Sequence, residues 1–263
     1  MGAIPAVAIV VVLFTGAMVG AAWTSVHPGA IVGGSLGAGA WREVLADPAF
    51  RRALAFTLWL AVASTALAVP AALALAVAVR RSSLARLGVA APVPVPHLVV
   101  AALAVLWLGP GGLADRLLGG LPVELVGDRA GVGIILTYLY KEAPFLALIV
   151  LAAWDRATDD LLEAAAAFGA GPVRRTLDVL VPRVAPALAL GAAVVAAFVV
   201  GATEVPLLVG SSGRDTLATH SLDLTRLGGP AARAQAAAVL LVAGALAAAL
   251  VVPVALLARR FRP

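Results

Sequence analysis

Residues 158–182 read TDDLLEAAAAFGAGPVRRTLDVLVP, the most charged segment of a very apolar chain, set between two stretches long enough to cross a bilayer. The order of residues predicts two short helices joined by a glycine turn. Thr158 or Asp159 is placed to cap the first, with Asp160 in its first turn, where a negative charge suits the positive end of the helix dipole. Leu161 to Phe168 continue as helix formers, four of them consecutive alanines. Gly169 is the natural left-handed terminator. Pro172, after Gly171, opens a second helix at a position that needs no amide donor, and Pro182 ends it. Glu163 is placed to return its carboxylate to the amide of a cap at Asp160. A compact, capped helix pair on the surface of a membrane protein is suited to gripping a partner.

Outward from this stretch the chain is lipid-compatible. Of its 263 residues 62% are hydrophobic and the mean hydropathy is +1.05, well beyond the balance of a soluble domain. A span needs ~20 apolar residues, and six stretches supply them: 4–23, 54–79, 87–108, 132–153, 186–205 and 234–257. Lipid leaves the backbone of such segments only helix, so the fold class is an all-α polytopic membrane protein with six transmembrane helices in one domain, 1–263. The first stretch lacks the basic start of a cleaved signal and is kept as a span. Cysteine is absent, which excludes disulfides and thiolate metal sites. The net charge of +5 is no sign of nucleic-acid binding, because the arginines gather at span ends. With the amino terminus inside, ten arginines fall in cytoplasmic segments against eight outside, a small bias in the expected direction.

The central stretch also carries a family resemblance. Glu163-Ala164-Ala165, three residues and then Gly169 resemble the E-A-A-x-x-x-G signature of ATP-binding-cassette importer permeases. Val179-Leu180-Val181-Pro182 is similar to that family's I-x-L-P ending, with valine in place of isoleucine and leucine. The resemblance implies the type I ABC-importer permease fold, with residues 154–185 as a loop carrying a cytoplasmic coupling helix. It implies that Phe168, Leu161 and Leu162 are apolar anchors in a cleft of a partner ATPase, that Ala164 and Ala165 allow close approach, and that Glu163, Gly169 and Pro182 belong to the same contact. The implied partners are an ABC ATPase dimer, a second permease subunit, and a periplasmic or lipid-anchored substrate-binding protein. The implied location is the bacterial or archaeal cytoplasmic membrane. Residues 207–222, with Thr216-Leu217-Ala218-Thr219, are similar to permeases of the ferric-iron, thiamine and polyamine group. No G-x-x-x-x-G-K-[ST] loop is present, so ATP is expected on the partner and no cofactor or metal on this chain.

Elsewhere, Asp47 and Pro48 read as cap and first position of a helix. Pro92, Pro94 and Pro96 cannot all lie in a regular helix, and irregular backbone at this depth must be covered by protein or wet. His97, a lone histidine, reads as a hydrogen-bonded packing residue. Tyr138, Lys141, Glu142 and Phe145 share one face of the fourth span, near its middle, where each charge costs about 2.5–3.5 kcal/mol on insertion scales. These four and Glu204, at the outer end of the fifth span, are the candidates for a translocation path. The alternative is that Lys141 and Glu142 form a packing ion pair and Glu204 is simply solvated. A different class of function is a membrane prenyltransferase, with Asp155, Asp159 and Asp160 holding magnesium and a diphosphate, but the inner loop 80–86 offers no second acidic cluster. A secondary transporter would leave the capped loop unexplained.

Overall fold

A computed structural model describes residues 4–27, 37–120 and 122–260. The end of the basic tail, 261–263, and most of the glycine-rich segment after the first span lie outside the described residues. Five helical stretches among them are long and apolar enough to cross a membrane: Pro48–Val79, His97–Leu118, Val132–Ala153, Pro172–Gly201 and Gly229–Ala258. A shorter apolar helix covers Val11–Val26. That last stretch belongs to α1, Ile4–Val26.

On the side away from the 154–185 loop, the outer side in the expected orientation, α2 (Gly39–Ala46) leads into α3 (Pro48–Val79). Asp47 caps α3 by accepting from the Ala49 amide at 2.7 Å, with Pro48 in its first turn, where its missing donor costs nothing. The stretch expected as one span over 87–108 is broken in two. Helix α4 (Ser83–Ala90) ends before the prolines, and α5 (His97–Leu108) begins after them. Each proline removes a donor and disfavours the α conformation in the residue before it, although Ala91, ahead of Pro92, keeps it. Beyond the short α6 (Leu113–Leu118), α7 runs over Val132–Ala153 as one helix through Pro144.

Helix α7 is the hub. Its spanning window is 61% buried, against 11% for that of the last helix, α13 (Gly229–Arg260). Around it lie α3 and α10 (Val181–Gly201). Small residues let these backbones approach, as expected where lipid supplies no hydrophobic drive between helices. Ala68, Ala72 and Ala76, one turn apart on α3, are fully buried. A Cβ added to Gly191 of α10 would sit 2.6 Å from Ile149 Cδ1 and 3.0 Å from Leu146 Cδ2 of α7. One apolar cluster, around Phe56, Leu60, Ile134 and Val205, fills the outer half. A second, around Leu146, Val150, Leu180 and Val184, fills the inner half. The outer end is closed by α11 (Glu204–Val209) and α12 (Leu217–Leu227), the latter tied to α3 by the Leu217 amide donating to Thr57 Oγ1 at 2.8 Å.

Candidate functional site

Between α7 and α10 the chain makes a projecting elbow. Its first arm is α8, Arg156–Ala167. The cap is Asp155, not Thr158 or Asp159 as the sequence suggested. Asp155 is extended, and its Oδ1 accepts from the Thr158 amide at 2.8 Å and the Thr158 hydroxyl at 2.6 Å. Starting the helix three residues earlier places Glu163 in mid-helix, too far along to reach a capping amide. The Thr158 hydrogen bonds, reinforced by the charge of Arg183, hold the Asp155 carboxyl below the usual carboxylate range.

The glycine reading fits the geometry. Gly169 has φ +82°, and the amides of Ala170 and Gly169 donate to the carbonyls of Ala165 at 3.0 Å and Ala166 at 2.9 Å, the paired bonds of a Schellman ending. The second arm departs from expectation. Residues Pro172–Arg175 (α9) do not stop at Pro182 but run on into α10 through a π-turn at Thr176–Leu180. The Val181 amide donates to the Thr176 carbonyl, five residues back. This slip of register just ahead of Pro182 lets the helix absorb a residue that has no amide to give.

The elbow is riveted at its base and bare at its tip. Arg80, at the end of α3, donates to Asp159 Oδ2 at 2.5 Å and lies over the Trp154 ring at 5.1 Å, and Trp154 Nε1 donates to Asp159 Oδ1 at 2.8 Å. Arg183 of α10 donates through Nε to Thr158 Oγ1 at 2.8 Å and reaches Asp155 at 3.3 Å. Three spans therefore hold the start of α8. At the other end Phe168 is 93% exposed, with Leu161 (46%) and Val173 (71%) also uncovered. Glu163 and Ala164 are exposed and Ala165 is half-buried. Leu162 faces the opposite way and packs on the inner apolar cluster.

The mid-membrane residues form a different assembly. Lys141 Nζ donates to the carbonyls of Pro92 at 2.9 Å and Val93 at 2.5 Å, the backbone oxygens exposed by the proline break. Glu142 Oε1 bonds His97 Nε2 at 2.8 Å. Lys141 and Glu142 are thus not paired with each other; side by side, they fasten the two sides of the interruption between α4 and α5. Phe198 of α10 packs on His97 at 4.4 Å between ring centroids and meets Tyr138 edge-on at 6.3 Å. Tyr138 is fully buried, and Phe145 packs on the inner cluster. Glu204 stands apart, exposed at the outer end and accepting from the Thr203 amide at 3.2 Å. The five residues considered for a path therefore do not line one surface. His97 was read from sequence as a hydrogen-bonded packing residue; its partner lies 45 positions away, beyond any local pattern.

Among the described residues, no group of three or more His, Cys, Asp or Glu side chains comes together as metal ligands. Asp155 and Asp159, two of the acids considered for magnesium, are engaged in the rivets just described.

Comparison with known proteins aligns with this architecture. The model of a family described as binding-protein-dependent transport system inner membrane component matches residues 68–263. The trehalose transport system permease protein SugA of Mycobacterium tuberculosis is 29% identical over 159 residues, 58% of this chain and 52% of that protein. The inner membrane ABC transporter permease protein YdcU of Escherichia coli is 35% identical over 106 residues, 39% of this chain and 34% of that protein. The matched stretches thus span about half the trehalose permease and a third of YdcU. Among solved structures, a chain of a bacterial ABC transporter that imports the acidic polysaccharide alginate superposes with a TM-score of 0.74 at 20% identity, covering 98% of this chain and 94% of that one. A chain of a bacterial alginate transporter in complex with its periplasmic protein gives 0.65 at 21% identity, covering 85% and 81%. At these identities the likeness is one of fold.

Proposed function

This chain belongs to the family of inner membrane components of binding-protein-dependent transport systems, and on that premise we propose that it is one permease half of an ATP-driven importer. As a member of that family it is a transport subunit rather than an enzyme. The single observation that carries the coupling role is the elbow, held at its base by three spans while Phe168 projects bare at its tip. A rigid arm with an unburied aromatic end is built to seat in a cleft and transmit displacement. In this reading a cytoplasmic ATPase dimer takes Phe168, Leu161 and the alanine face around Ala164 and Ala165. A second permease completes the path, and a substrate-binding protein, periplasmic or lipid-anchored, delivers solute from outside the cytoplasmic membrane of a bacterium or archaeon. ATP binds the closed ATPase arrangement better than the open one, and that difference in affinity drives the alternation of the permease pair.

Lys141 and Glu142 act in this scheme as fasteners of the proline break rather than as solute contacts, because Lys141 Nζ is engaged by two carbonyls and Glu142 Oε1 by His97. Glu204, exposed at the outer end, is the better placed of the candidates to meet a solute.

Replacing Phe168 by alanine tests the reading. Losing burial of this side chain at a contact removes about 1.5–3 kcal/mol, so capture of the ATPase subunit by tagged permease weakens roughly ten- to hundredfold, with membrane insertion unchanged. Undiminished co-purification and uptake in that variant would refute the docking role.

A further inference from the structure

Beneath the elbow, where α3 leaves the membrane, lies a cavity of about 370 Å³ with an amphipathic lining. Val77 and Ala78, exposed on the last turn of the α3 span, form its membrane side. Arg81, Arg175 and Glu163 line its polar side. Arg80 and Asp159 also reach it, but they are paired with each other. Neither Arg81 nor Arg175 makes an ion pair among the described residues, and Arg175 Nε is buried with no hydrogen-bond partner. A buried guanidinium donor without an acceptor is costly, and its flat fork is matched to phosphate oxygens. The two free arginines and Glu163 leave a net charge of +1, the complement of one phosphodiester.

We propose that this cavity binds the phosphate ester of an anionic phospholipid, with its acyl chains descending past Val77 and Ala78 and the headgroup hydroxyls donating to Glu163. Basic pockets at the cytoplasmic ends of spans hold such headgroups by this combination of charge and depth. The lipid fills the gap between the end of α3 and the two arms of the elbow, so its occupancy stiffens the lever's base. The inference takes from the proposed function only that the elbow faces the cytoplasm, and its test needs no ATPase.

The purified full chain is equilibrated with vesicles of phosphatidylglycerol and phosphatidylcholine in equal parts, and lipid retained on the protein is read by native mass spectrometry. Wild type is expected to keep one phosphatidylglycerol. Arg81→Ala, at an exposed side chain with no partner of its own, weakens retention about fivefold, and Arg81→Ala with Arg175→Ala about thirtyfold. Arg174→Ala, one position along but outside the cavity, removes the same charge and keeps the lipid. Equal retention in wild type and Arg81→Ala overturns the site. Displacement of the lipid by inorganic phosphate assigns the cavity to a soluble anion and overturns the lipid source. Either result leaves ATPase capture by Phe168 untouched, so the two readings fail separately.

Discussion

Two interruptions of helix shape this molecule, and they are held in opposite ways. The elbow turns on Gly169, whose φ of +82° and two local hydrogen bonds complete the turn within six residues. The break at 91–96 is made by prolines, and its freed carbonyls are satisfied by Lys141, 48 and 49 positions away. One is finished by its own sequence and stands in water. The other is unfinished until another helix arrives, because lipid offers its carbonyls no substitute partner. A hinge meant to carry load outward can be local; a hinge inside the bilayer must be bolted to its neighbour.

The sharpest way to break this contrast is at the glycine. Gly169→Val puts a β-branched residue where L side chains resist the backbone, so the turn re-forms differently and Phe168 points elsewhere. Uptake and ATPase capture are expected to be lost while total helicity by circular dichroism is kept. Normal uptake in this variant would remove the elbow from the mechanism. The next effect in size belongs to the other hinge. Lys141→Ala leaves the Val93 carbonyl unpaired at about 1–3 kcal/mol, while the Pro92 carbonyl keeps the Val95 amide at 3.2 Å; the loss is offset in part because an ammonium is no longer buried. A net loss on the order of 1 kcal/mol lowers the melting temperature by about 2–4 °C, with the apparent KM for solute unchanged. A raised KM at unaltered melting temperature would instead make Lys141 a solute contact.

The same contrast explains what could be read from residues alone. Gly169 and the Asp47–Pro48 start of α3 were legible, since the rules for both act over a few positions. The cap of α8 was misplaced because DRATDD offers several acids, and tertiary contacts choose among them: Asp159 is taken by Arg80 and Trp154, which leaves Asp155 to cap. Pro182 reads as a stop, yet the π-turn before it removes the need for its amide, a change of hydrogen-bond register with no composition signal. Lys141 and Glu142 were recognisable as unusual charges. Their partners were not, because the pairing to 92–97 exists only once α5 and α7 are side by side.

The smallest expected effect probes the elbow's base. Asp155 has a folded pKa held below the ordinary carboxylate value by Thr158 and Arg183. A depressed pKa means that the ionised carboxyl stabilises the folded state wherever the unfolded chain is also ionised, above about pH 4. That contribution shrinks as the pH falls through the lower, folded value. Asparagine caps a helix about as well as aspartate but does not titrate, so Asp155→Asn keeps the turn and removes the charge. Wild type should therefore melt slightly higher than the variant near neutrality, and the gap should close on acidification below pH 4. If the gap stays constant down that range, the ionised carboxylate adds nothing beyond its hydrogen-bonding shape. The base would then be held by Arg80, Trp154 and Asp159 and by the hydrogen bond from Arg183 to Thr158, with nothing added by the ion pair between Arg183 and Asp155.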